Sequence, residues 1–215
     1  MKYKHIIWDW NGTLIDDRLF CIKIMNEVLK KRDMEAMTEE WFLDNFCFPV
    51  KDYYIKLGFN FEKESFDISG TEFINMYMAR CHELQLHQGA KDVLDHVKNL
   101  GLAQSLVSAS SQIMLNQILE HHDINDYFIK ILGTDNHYAY GKETLTKEWM
   151  NDLGFHPKEV LFIGDTIHDK DIADVVGSDC ILVSKGHVSK ERLQKTGAPV
   201  FEELIKIIDW LNGGN

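Results

Sequence analysis

The stretch His5-Ile6-Ile7-Trp8-Asp9-Trp10-Asn11-Gly12-Thr13-Leu14-Ile15-Asp16 decides how the rest of the chain is read. An apolar run ends in an acid, a Gly-Thr turn follows, and a polar helix start comes next. That order describes a buried strand delivering a carboxylate to the edge of a sheet. An Asp so placed can be a phosphoryl-accepting nucleophile, a metal ligand, or only a helix cap, a role for which Asp is favoured. What stands at the other strand ends decides between them.

Outward from this stretch, residues 17–32 carry Leu19, Ile22, Met25, Val28 and Leu29 at helical spacing. Thr38 before Glu39 and Glu40 predicts a capped helix to Asn45, and Pro49 opens another that Gly58 closes. A further helix is expected over 70–84, and no strand is expected from 17 to 85. An all-helical block between a βα start and later βα units reads as an inserted helical domain. The expected division is an α/β core at 1–16 and 86–215 with a helical cap domain at 17–85.

From Gln88 onward strands and helices alternate. A helix from Gly89–Ala90 ends at the capping Gly101, and a strand over 103–108 leads to a helix capped by Ser110 or Ser111. Further strands are expected at 127–132, 160–164 and 180–183. Helices are expected at 142–153 before Gly154, at 172–176 and at 200–211. The pattern is that of an α/β, doubly wound parallel sheet with helices on both faces, which binds ligands outside the carboxyl ends of its strands.

The second strand ends in Ser108-Ala109-Ser110, offering a hydroxyl and the amides of a helix start. These suit a phosphate oxygen or a helix cap equally well. Gly141-Lys142 follows the third strand. A Lys at a helix start opposes the helix dipole and points to a nearby anion, the alternative being a solvated surface side chain; Lys147 is a weaker candidate. The fourth strand runs into Gly164-Asp165-Thr166-Ile167-His168-Asp169. Its two acids and Asp9 make an oxygen-rich group suited to hard Mg²⁺. His168 is expected in the loop, and His121 and His122 on a helix surface.

The formal charge of -11 over 215 residues argues against nucleic acid or an anionic membrane surface as a partner, though it allows a local positive pocket for a phosphate. No signal peptide or membrane span is read near Met1. Cys21, Cys47, Cys81 and Cys180 lack metal-type spacing and read as free thiols in a reducing, cytoplasmic setting. Nothing in the composition chooses between monomer and homodimer.

Taken together, these segments resemble the haloacid dehalogenase superfamily. Its first motif, D-x-D-G-T, is approached by Asp9-Trp10-Asn11-Gly12-Thr13. Its second is a Ser or Thr ending a strand, here Ser108, and its third a Lys, here Lys142. Its fourth, G-D-x-x-x-D, is met by Gly164, Asp165 and Asp169. The helical insert is similar to the cap of the phosphoglycolate-phosphatase-like branch, with Phe46-Cys47-Phe48-Pro49 as its loop. The resemblance implies a Rossmann-like core and a Mg²⁺-dependent phosphatase acting on a small phosphorylated metabolite. Asp9 would be the nucleophile that forms an aspartyl-phosphate. Mg²⁺ would be held by Asp9, the Asn11 main-chain carbonyl and Asp165, with Asp169 adjoining. Gly12, Thr13, Ser108, Ala109 and Lys142 would hold the phosphoryl oxygens, and Lys142 would also neutralise Asp9.

The departure is at position 11, where the family's phosphatases carry the acid that protonates the leaving oxygen. An amide cannot carry that proton, and loss of a general acid typically costs about 10²- to 10⁴-fold. One reading is a phosphatase that is slow or handles an easy leaving group, with an acid such as Asp16 assisting. A second is dehalogenase- or phosphonatase-type hydrolysis, against which the retained Asp165 and Asp169 favour phosphorus chemistry. A third is a protein that binds a phosphorylated ligand with little turnover. Side chains near 46–54 are expected to read the leaving group. Phe20, Trp41, Phe42 and Phe46 either line its pocket or fill the helical bundle.

Overall fold

The computed structural model describes residues 2–134 and 141–213. β1 (His5–Trp8) is wholly buried, as an apolar strand covered on both faces must be. A two-residue strand, β2 (Ile15–Asp16), leads into α1 (Arg18–Lys30), α2 (Glu39–Asn45), α3 (Val50–Lys56) and α4 (Phe66–Arg80). The chain returns through β3 (Gln85–Leu86), antiparallel to β2, so a short ribbon closes the neck of the helical insert. Then come α5 (Ala90–Asn99), β4 (Ala103–Ser111), α6 (Gln112–His122), β5 (Lys130–Thr134), α7 (Lys142–Leu153), β6 (Val160–Gly164) and α8 (Ile167–Val176). β7 (Asp179–Val183), α9 (Lys190–Gln194), β8 (Val200–Phe201) and α10 (Lys206–Leu211) complete the described chain.

Six parallel strands lie in the order β5-β4-β1-β6-β7-β8, the expected doubly wound sheet. Alternation along the strands feeds two cores. Ile6, Trp8, Leu106 and Ile163 join Leu94 and Leu115 on one face, while Ile7, Val107, Phe162 and Leu182 join Met150 and Ile172 on the other. A third cluster, with Met25, Leu29, Phe42, Tyr53 and Tyr54, is internal to the helices of the insert.

Several elements depart from the sequence expectation. The helix expected at 172–176 begins five residues earlier, because Thr166 and Asp169 form a reciprocal capping box, and His168 therefore lies on α8 rather than in a loop. The stretch 200–211 is not one helix: Val200 and Phe201 pair with Leu182 and Val183, and the helix starts only at Lys206. The strand expected at 127–132 runs over Lys130–Thr134, after a 3₁₀ turn at Asn125–Tyr127. The helix expected at 70–84 covers Phe66–Arg80, and β3 begins inside the stretch thought free of strands. The α9 segment was not foreseen. No helix among the described residues is long and apolar enough to cross a membrane.

Candidate active site

Register brings the chemistry to one sheet edge. Trp8 is level with Leu106 on β4 and with Ile163 on β6, so Asp9, Ser108 and Asp165 emerge together. The Asp9 amide still donates to the Ile163 carbonyl at 2.8 Å, which fixes the start of the loop. The turn that follows needs glycine. Gly12 has φ +75°, and a Cβ there would collide with the Asp165 carboxylate and the His187 ring. Gly186 is under the same constraint, since its Cβ would also run into Asp165.

Asp9, Asp165 and Asp169 are buried, with carboxylate oxygens within 4.8 Å of one another. Lys142, at the first turn of α7, is also buried and forms ion pairs with Asp9 and, at 2.5 Å, with Asp169. The anion that its position on the helix implied is thus this carboxylate group. The Thr13 hydroxyl lies 3.2 Å from oxygens of both Asp9 and Asp165. Asp169 is fully engaged. One oxygen meets Lys142, and the other accepts from the Asp165 and Thr166 amides and the Thr166 hydroxyl. Burial raises the Asp9 pKa well above the usual carboxylate range, Lys142 opposes this, and Asp169 and Asp165 add to it. Burial works against the charge on Lys142, but Asp169 and Asp9 outweigh it and hold its pKa above the ordinary value.

Asn11 is clamped. Its amide nitrogen donates to Asp17 at 2.7 Å and to the Tyr77 hydroxyl at 3.1 Å, and that hydroxyl donates to the same Asp17 oxygen at 2.9 Å. Its carbonyl accepts from Ser110 at 2.6 Å and from Ser108 at 3.4 Å. The assisting acid proposed from sequence, Asp16, is not available for this: its carboxylate is largely exposed and 3.9 Å from His87. The neighbour that turns inward is Asp17, fully buried.

His187 completes the group. Its Nε2 is 3.1 Å from Asp17, its Nδ1 2.9 Å from Asp165, and its main-chain amide donates to Asp165 at 2.7 Å. Carboxylates offer only acceptors, so both ring nitrogens carry protons and the ring is a cation. Burial disfavours that charge, but Asp17 and Asp165 outweigh it and raise the His187 pKa well above the ordinary value. The Asp17 pKa is lowered in turn: burial pushes it up, while His187, Asn11 and Tyr77 pull it down further.

These groups open on a cavity of about 160 Å³ between the sheet edge and the helical insert. Asp9, Asn11, Ala109, Ser110, Lys142, Asp165 and Asp169 stand on its wall, whereas Ser108 is buried behind Asn11. Of the aromatic candidates, Phe42 and Phe46 line it together with Phe48 and Tyr53, and Phe20 and Trp41 do not. Asp17, Tyr77 and His187 were not among the sequence candidates, and Ser110 was named only beside Ser108 and as a possible helix cap. Of these, His187 carries a sequence signal, since Gly186-His187 follows the end of the strand Asp179–Val183.

The family model for haloacid dehalogenase-like hydrolases matches residues 6–183. The chain belongs to that family. It is 25% identical over 183 residues to the phosphoglycolate phosphatase of Vibrio parahaemolyticus, covering 77% of each chain. To the pyrophosphatase PpaX of Oceanobacillus iheyensis it is 24% identical over 177 residues, covering 79% of this chain and 78% of the relative. The match to the phosphoglycolate phosphatase of Vibrio vulnificus, 27% identical over 99 residues, spans 43% of that relative's length. Among solved structures, a predicted phosphatase from Clostridium acetobutylicum superposes with TM-score 0.84 at 21% identity, covering 99% of each chain. At that identity the likeness shows the fold. The haloacid dehalogenase-like hydrolase therefore has its motif positions, Asp9, Ser108, Lys142, Asp165 and Asp169, at one edge of a six-stranded sheet.

Proposed function

We propose that this hydrolase is a Mg²⁺-dependent phosphatase for a small phosphorylated metabolite, with 1–16 and 86–215 as its core and 17–85 as a cap over the site. The observation that carries this is the pairing of buried Asp9 with Lys142 at a cavity mouth, beside two further buried carboxylates. The all-oxygen donor set fits a hard divalent ion, and one Lys cannot balance three carboxylates. Asp9, Asp165, the Asn11 main-chain carbonyl and the adjoining Asp169 would hold Mg²⁺, which when bound offsets charge on the phosphoryl group.

In the proposed reaction an Asp9 oxygen attacks phosphorus, the ester P–O bond breaks, and the aspartyl-phosphate is hydrolysed to phosphate and free Asp9. Lys142 opposes the burial that favours the neutral form of Asp9 and draws in the phosphoryl oxygens. Thr13 and the Gly12 turn hold Asp9 and Asp165 in place, and Ala109 and Ser110 form the facing wall. The Asn11 amide, held by Asp17 and Tyr77, gives up no proton, so the leaving oxygen takes one from solvent. Rate should therefore rise steeply with leaving-group acidity.

The test is phosphate release from phenyl phosphate with Mg²⁺. Asp9→Asn should abolish it with the fold intact by circular dichroism, and unchanged release would remove Asp9 from the role. The clamped Asn11 also favours a second reading, a phospholigand-binding protein with little turnover. Calorimetric binding of a phosphomonoester without product would establish that reading instead.

A further inference from the structure

The cavity carries information about what is attached to the phosphate. Beyond Asp9 and Lys142, its wall on the insert side is largely apolar and includes Met25, Phe42, Phe46, Tyr53, Phe73 and Ile74. The rings are interlocked: Phe46 packs on Tyr53 at 5.2 Å between centroids and on Phe42 at 5.1 Å. The same wall reaches the catalytic edge, because the Phe46 and Phe42 rings lie 5.3 and 5.8 Å from the His187 ring. Among the described residues Lys142 is the one Lys or Arg on the cavity wall, and Asp9 and Asp169 already pair with it. The His187 cation is likewise taken up by Asp17 and Asp165.

A leaving group bearing its own carboxylate or phosphate would meet no uncommitted Lys or Arg among the described residues of this wall, and four acids, Asp9, Asp17, Asp165 and Asp169. Burying an unpaired charge against aromatic rings is strongly unfavourable. An uncharged apolar group loses nothing there and gains by leaving water. An apolar cavity of about 150 Å³ accepts a benzene ring. The 160 Å³ here, shared with the phosphoryl group, suits a small organic part such as a single ring or a short branched chain.

Building on the phosphatase reading, we infer that the substrate is a phosphomonoester whose leaving group is small, uncharged and apolar. Phosphoglycolate and pyrophosphate, whose leaving groups are anionic, fall outside this class. The chemistry balances without a further reactant: the phosphoryl group passes to Asp9 and then to water, and the released oxygen gains the proton that water supplies.

The experiment compares kcat/KM for benzyl phosphate, phosphoglycolate and pyrophosphate on the full-length, Mg²⁺-loaded chain. Benzyl alcohol is a poor leaving group, so any preference for it reports the pocket and not leaving-group acidity. We expect benzyl phosphate to lead phosphoglycolate, also the ester of an alcohol, by at least about thirtyfold and to have a lower KM than pyrophosphate. Ile74→Arg, a cavity-wall change away from the phosphoryl-binding edge, should shrink the gap to phosphoglycolate by about tenfold or more. The native ratio stands as the test even if that variant does not fold. Equal or faster hydrolysis of phosphoglycolate, or a lower KM for pyrophosphate than for benzyl phosphate, overturns the inference and leaves the phosphatase reading intact. No Asp9-dependent release from any of the three, with phenyl phosphate also inert, overturns the phosphatase reading itself.

Discussion

At position 11 the side chain is determined by its neighbours. The Asn11 amide nitrogen sits 2.7 Å from the buried Asp17 carboxylate, a contact that works only with a donor on one side. An Asp at 11 would set two acceptors against each other in a buried space. Asn11→Asp should therefore destabilise the fold by about 1–3 kcal/mol, not simply restore a missing acid. In an Asp17→Asn background the penalty should shrink, since the amide then supplies the donor from the other side. Urea unfolding of the four members of this double-mutant cycle reads the coupling directly, and additive effects would show that the two side chains do not interact. A second residue-scale prediction concerns His5, wholly buried in β1 and 2.7 Å from the Ser105 hydroxyl. Burial lowers its pKa from 6.5 to about 4. Below pH 6.5 the unfolded chain takes up a proton that the folded chain refuses until about pH 4. Stability contributed by neutral His5 should fall as the pH drops through that window, by up to about 3 kcal/mol. His5→Gln should lose that part of the pH dependence in urea midpoints measured at pH 7 and pH 4.5.

Among the elements, helix caps were well marked in the sequence and long-range pairing was not. Thr38 caps α2 by accepting from the Trp41 amide at 3.1 Å, as its position before two Glu residues implied. Thr38→Ala should cost about 1 kcal/mol in thermal unfolding and leave kcat unchanged, because the cap lies on the outer surface of the insert. Thr166 was passed over although its capping box with Asp169 carried the same kind of signal, and the start of α8 was lost with it. Residues 200–211 show the opposite limit. Their apolar spacing favours a helix, but Val200 and Phe201 find an open edge at β7, and no local signal announces that edge. α4 packs on the core through Tyr77, Phe73 and Met76, and the Tyr77 hydroxyl adds polar ties: it donates to Asp17 at 2.9 Å and accepts from Asn11. Tyr77→Phe leaves both partners short of a hydrogen bond and should cost about 1–2 kcal/mol, a loss that denaturant titration would register.

For the whole molecule, the sheet, its two faces and the segments carrying the four motifs were legible because strand ends in a doubly wound fold point to one edge. Asp17, Tyr77 and His187 were not, since they come from three separated segments and meet only once the insert folds back over the sheet. The same folding-back is secured from the core side by Arg192, whose guanidinium donates to the Leu43 carbonyl at 2.8 Å and to the Phe46 carbonyl at 3.0 Å. Arg192→Ala should loosen the wall that carries Phe46, raising KM for an apolar phosphomonoester several-fold with a smaller effect on kcat. Steady-state kinetics would show the split, and an unchanged KM would mean that the wall keeps its place without Arg192. The most direct test of the central claim is to trap the phosphorylated enzyme. The chain is mixed with phenyl phosphate and Mg²⁺, quenched in acid within a turnover, digested, and read by mass spectrometry. A phosphoryl increment on the peptide carrying Asp9, absent when Asp9 is replaced by Asn, is the expected result. Hydrolysis of phenyl phosphate with no phosphoryl group on that peptide, and equal hydrolysis by Asp9→Asn, would contradict it.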